Sequence, residues 1–173
     1  LNNGKLYANG DNFIDMGYTG DGESGYIYGV FTNNGSSIHM EDGDVNDTLT
    51  IYGDFAGTGH VVVDASGVSM TADRLYIEGD VATNTANVID VFMATAPDLT
   101  DILSGAEIEV VTVSGTSTAA NFNVGIVTIA VDSLYNVDTT LVKDINVSGT
   151  TDRFSLTFDV DGLSTAGSVA SSI

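Results

Sequence analysis

The sequence predicts an all-β protein folded as a solenoid of stacked coils, and three observations carry that expectation. First, DTLTIYGDFA from Asp47 and DRLYIEGDVA from Asp73 match at Leu49 and Leu75, Ile51 and Ile77, Gly53 and Gly79, and Asp54 and Asp80. A fixed offset of 26 residues is the length scale of a stacked repeat. Second, apolar residues alternate with polar ones in short runs, the period of strands with one buried face. Third, 20 Gly, 1 Pro and abundant Ser, Thr, Asn and Asp punctuate those runs, as turn residues do between many short strands.

Taken in order, residues 1–32 interleave Gly10, Gly17, Gly20, Gly22, Gly25 and Gly29 with Tyr7, Tyr18, Tyr26 and Tyr28, and read as first coils with tight glycine turns. Residues 33–122 hold the repeats, with inward pairs at Leu49/Ile51, Val61/Val63, Leu75/Ile77 and Ile108/Val110. In that register Tyr76 and Glu78 face outward. One short helix is expected within APDLTDILSGA. Pro97 starts it, Leu99, Ile102 and Leu103 share a face, and Gly105 ends it. Residues 123–173 continue as strands, with Val127/Ile129/Val131 and Phe154/Leu156/Phe158 as the alternating sets.

A coil cannot cover its own row of inward Leu, Ile and Val, so coils stack with strands about 4.8 Å apart and bury the rows on one another. Gly53-Asp54 and Gly79-Asp80 then mark one corner in successive coils, where glycine is expected to take positive φ. The alternative architecture is a β-sandwich, for which Asn34-Gly35, Asp42-Gly43 and Asp161-Gly162 would be hairpin turns.

The net charge is −20, with 24 acidic residues against Lys5, Arg74, Lys143 and Arg153. Such a chain repels nucleic acid and anionic membrane surfaces, which excludes both as partners. Cysteine is absent, so neither disulfides nor thiolate metal sites hold the fold. No run reaches the roughly 18 apolar residues of a membrane helix, so this segment does not insert into a membrane. Because it begins at Leu1, it is read as part of a longer chain, with any export signal upstream.

The block from NNGSSIHMEDGDVNDTLTIYGDFAGTGHVVVDASGVSMTADRLYIEGD through GAEIEVVTVSGTSTAANF, residues 33–122, resembles the C-terminal part of bacterial autotransporter passenger domains. The matching features are the strand Asp47-x-Leu49-x-Ile51-x-Gly53, GTGHVVVDAS with Asp64, DRLYIEGD, and GAEIEVV leading through a Ser/Thr-rich turn to Phe122. The resemblance implies a right-handed parallel β-helix of the pertactin type, secreted and displayed outside the cell as a passenger. After Phe122 the likeness ends, since strands continue where the family has a linker helix and a membrane barrel.

A serine hydrolase would need a nucleophile beside a base. Ser24 in GDGESGY, His39 and His60 supply the residue types without a GxSxG or protease-type loop. His39, between Ile38 and Met40, is expected to point to solvent. A polysaccharide lyase would need a cation beside its carboxylates, and the four cations are scattered through the sequence. Calcium is the remaining chemical candidate. In EDGDVND, Glu41, Asp42, Asp44, Asn46 and Asp47 offer hard oxygen ligands, but Asp47 stands where an EF-hand loop has Gly and Gly53 where it has Glu. The plainer reading is a solvated acidic turn.

The expected function is therefore that of a non-catalytic, extracellular β-solenoid acting as stalk or adhesin, contacting a host or surface ligand. The rival is a self-assembling subunit of a filament or surface layer. Neither end of the sequence offers a polar cap, so the stack is expected to associate end to end, more strongly with added salt or calcium.

Overall fold

The computed structural model describes residues 4–19, 27–130, 137–147 and 151–160. Its strands are β1 (Lys5–Tyr7), β2 (Asp11–Asp15), β3 (Tyr18–Thr19), β4 (Ile27–Tyr28), β5 (Val30–Asn33), β6 (Ser37–His39), β7 (Thr48–Tyr52) and β8 (Asp54–Gly57). They continue with β9 (His60–Ser66), β10 (Thr71–Ala72), β11 (Arg74–Ile77), β12 (Asn87–Met93), β13 (Ile108–Val113), β14 (Phe122–Ile129), β15 (Val137–Val147) and β16 (Thr151–Val160). The one α-helix among the described residues, α1, is Leu99–Ser104. The molecule is thus all-β, as its composition dictates.

Apart from the pairs β3–β4, β9–β10 and β15–β16, successive strands go to different sheets. The first sheet has the order β1-β6-β9-β12-β14, all parallel, and the second β2-β7-β11-β13, also parallel. A third parallel pair, β5 and β8, is extended by a bridge from Phe55 to Val81. Asn34-Gly35 and Asp42-Gly43 do not close hairpins. They lie between β5 and β6 and between β6 and β7, and their glycines, at φ 66° and 98°, turn the chain from one sheet to the next.

The repeated residues fall in register. Leu75 lies beside Leu49 and Val111, and Ile77 beside Ile51 and Val113. All six are at most 1 % exposed, while Glu78 is exposed and Tyr76 reaches Ser114 Oγ with its hydroxyl at 2.6 Å. Burying each aliphatic side chain contributes about 1.5–3 kcal/mol, so this row is a main source of stability. Two further columns run through the interior. Phe31, Phe55 and Phe122 stack with successive centroids 6.0 Å apart, and Phe154 meets Phe122 edge to face at 4.8 Å. Asn33 donates to Asn87 Oδ1 at 2.9 Å, Asn87 to the Gly57 carbonyl, and Asn121 to the carbonyls of Ala82 and Thr85. Buried amides thus satisfy main-chain acceptors at the bends.

The Gly-Asp corner meets the expectation in one copy only: Gly53 takes positive φ, 157°, whereas Gly79 does not. Glycine is required there by close approach. A Cβ on Gly79 would lie 2.5 Å from the Gly53 carbonyl oxygen, one on Gly53 2.6 Å from that of Gly29, and one on Gly115 2.6 Å from Asp80 Oδ1. The aspartates tie the layers together: Asp54 Oδ1 accepts from Asp80 N at 2.9 Å, and Asp80 Oδ1 from Thr116 N at 2.7 Å.

Two departures follow Met93. The register step is 26 residues from Leu49 to Leu75 but 36 from Leu75 to Val111, because α1 is inserted there. Asp98 caps it by accepting from Asp101 N at 3.0 Å, and Gly105 ends it at φ 71°. Ile102 is its buried residue; Leu103 is 71 % exposed, so the expected shared face does not form. Beyond β14 the polarity reverses. β16 pairs antiparallel with β13, and β15 antiparallel with β16. On the second sheet this hairpin covers the edge of β13. Val131, Asp161 and Gly162 lie outside the described residues.

Candidate functional site

The acidic turn joins β6 to β7, and Asp42 and Asp44 within it and Asp64 of β9 accept from its main-chain N–H groups. Asp64 Oδ2 accepts from Asp42 N at 2.7 Å and Gly43 N at 2.5 Å; Asp42 Oδ1 accepts from Asp44 N, and Asp44 Oδ1 from Val45 N, both at 2.9 Å. Beneath the turn, Asp73 Oδ1 accepts from Asp47 N at 3.0 Å and Asp73 Oδ2 from Asp64 N at 2.7 Å. Asp73 is fully buried, Asp64 3 % and Asp47 6 % exposed. Asp47 Oδ2 and Glu41 Oε2 are buried without a hydrogen-bond partner.

Of the candidate calcium ligands, Asp42 and Asp44 are exposed on the turn, Asp47 lies below it and Glu41 turns to His39. Among the described residues no three His, Cys, Asp or Glu side chains are grouped so as to hold a metal ion. The arrangement instead strains ionisation. Burial pushes the Asp73 carboxyl up to about 7, reinforced by the charges of Asp64 and Asp47 and opposed by the two N–H donors. Burial likewise raises Asp64, with Asp42 and Glu41 adding to the shift against the N–H bonds from Gly43 and Asp42.

Sequence reasoning missed two constellations. Ser37 Oγ lies 2.8 Å from His39 Nε2, and His39 Nδ1 2.5 Å from Glu41 Oε1. His39 is therefore not a free solvent-facing residue; Tyr7 stacks on its ring at 5.2 Å and its side chain is 13 % exposed. The signal was spacing: three polar residues at alternate positions share one strand face. Although the order of groups is that of a nucleophile, base and orienting acid, β6 lies between β1 and β9, so its N–H groups are committed to two ladders and supply no oxyanion hole. His60 pairs separately, with Asp90 Oδ2 at 2.6 Å. Ser24 lies outside the described residues.

The second constellation corrects the expectation of scattered cations. Arg74 Nη1 and Arg153 Nε each lie 3.2 Å from an oxygen of Glu109, and Thr112 Oγ1 also donates to that carboxylate. Lys143, 3 % exposed, pairs with Asp152 Oδ2 at 2.8 Å and donates to the Ser117 carbonyl at 2.5 Å. All four cationic residues lie within strands: Lys5 in β1, Arg74 in β11, Lys143 in β15 and Arg153 in β16. The near-identical DRL and DRF were the trace of this clustering, since both place Arg after a buried Asp.

Comparison with known proteins adds one likeness. Over 66 residues the chain is 32 % identical to a probable autotransporter, YfaL, of Escherichia coli (strain K12). The match suggests the autotransporter family. It covers 37 % of this chain and 5 % of that relative, so the chain spans a small part of the protein it resembles. No protein-family model matches the sequence, and no solved structure matches it. Among the described residues no helix is long and apolar enough to cross a membrane.

Proposed function

We propose that this chain is a segment of a secreted, surface-displayed protein, a non-catalytic right-handed parallel β-helix serving as stalk or adhesin passenger. The observation that carries the reading is the 66-residue likeness to a probable autotransporter. The in-register parallel stacking of Leu49, Leu75 and Val111 and of Ile51, Ile77 and Val113 supports the architecture, because that stacking is how a solenoid buries its rows. Antibodies raised against residues 33–122 should label intact cells that produce the protein; labelling only after the envelope is broken would refute display.

End-to-end assembly is a second reading. It is favoured by β1, β2 and β14, which are outermost strands of their sheets among the described residues and carry backbone groups that a second copy of this chain could pair.

A further inference from the structure

On the outer side of the second sheet, at the start of β7 and β11, a hollow of about 220 Å³ is bounded by Asn46, Thr48, Arg74 and Glu109, with Met70 and Ala72 overhanging from the β9–β10 arm. Two local irregularities shape it. Met70 is the non-glycine residue held at positive φ, 54°, among those described, a conformation that disfavours any residue with a side chain. It sits where the chain folds back so that Thr71 and Ala72 pair antiparallel with Ser66 and Ala65. Across the hollow, the pairing of β13 with β16 shifts register between Glu109 and Val111, a bulge of the kind that re-aims a side chain. Regular strands would leave a flat face here.

We propose that this hollow binds a neutral polyhydroxylated ring, one sugar unit of a glycan. Arg74 carries five N–H donors, one of which goes to Glu109, and Glu109 in turn is held by Arg74 and Arg153. The wall therefore offers charge-assisted donors and an acceptor with little net charge, matching the mixed pattern of adjacent hydroxyls. The Asn46 amide and the hydroxyls of Thr48 and Thr71 extend that pattern, and Met70 and Ala72 give the apolar face of a ring something to lie on. The volume is below the roughly 300–1,000 Å³ of clefts for drug-sized ligands, so it takes a single ring. Net charge decides against an acidic sugar: at −20 the molecule repels anions, and Arg74 is already neutralised.

The inference goes beyond the stalk reading and does not depend on surface display. The test is NMR titration of the ¹⁵N-labelled chain with methyl glycosides of glucose, galactose, mannose and N-acetylglucosamine, and with methyl glucuronide for comparison. At least one neutral glycoside should shift the amide resonances of Asn46, Thr71 and Arg74 and saturate in the millimolar range. Combining Asn46→Ala with Thr48→Val should weaken that binding by about tenfold or more. Glu78→Gln, an exposed change outside the residues that line the hollow, should bind as the parent does, with a melting curve on each variant reporting that it folds. No shifts from any neutral glycoside, shifts dispersed away from the hollow, undiminished affinity in the folded double variant, or preference for the glucuronide would each overturn the proposal.

Discussion

Asp73 holds two layers of the chain with one side chain, because its two oxygens receive Asp47 N and Asp64 N in a site closed to water. Its carboxyl is raised from 3.8 to about 7, so between those values the folded chain holds a proton that the unfolded chain has released. Stability from this group is therefore lost as pH rises from about 4 towards 7 and changes little above it. Carboxyl ¹³C NMR should show Asp73 titrating near 7; a midpoint near 4 would refute the buried arrangement. The repeat makes its own claim at this scale. Ile77→Asp places an unpaired charge where the parent side chain is fully buried and should cost roughly 4 kcal/mol or more, whereas exposed Glu78→Lys should be near neutral. Equal melting temperatures for the two variants would refute the register.

At the scale of elements, the corner of Gly29, Gly53, Gly79 and Gly115 shows how closely the layers approach. Gly79→Ala sets a methyl group 2.5 Å from the Gly53 carbonyl oxygen and should destabilise by about 1–3 kcal/mol in urea unfolding, while Gly4→Ala, whose Cβ would meet nothing within 4 Å, should not. These elements also show how much of the fold was legible. Leu49/Ile51 and Leu75/Ile77 could be paired from the sequence because a common offset and a period of two both survive in the residues. The partner on β13 could not, because α1 lengthens the step and Val111 and Val113 replace Leu and Ile. Nor could the reversal at β15 and β16, since Phe154/Leu156/Phe158 alternates identically in parallel and antiparallel ladders. Of the site, the acids of the turn were visible as a run. The Arg74–Glu109–Arg153 group was hidden because β11, β13 and β16 bring it together from distant stretches.

For the whole molecule, a charge of −20 opposes compactness, so raising sodium chloride should raise the melting temperature by screening that repulsion; a flat response would show that the acids are already neutralised locally. The β15–β16 hairpin makes the second sheet unequal at its two sides, covering β13 while β2 stays outermost. Removing residues 137–160 should expose the β13 edge and convert the chain to larger species in light scattering, and an unchanged size would show that the hairpin shields nothing. The placement of the cations carries a last consequence, for digestion. Trypsin cuts after Lys or Arg and needs several residues pulled free of their ladders, yet Lys5, Arg74, Lys143 and Arg153 all lie inside strands, Lys143 deep against Asp152. Among the described residues no connecting loop contains a tryptic bond, whereas the turn at Asp42–Asp44 is open to an enzyme that cuts at acidic residues. The folded chain should outlast trypsin far longer than such an enzyme, its lifetime set by how often whole strands open.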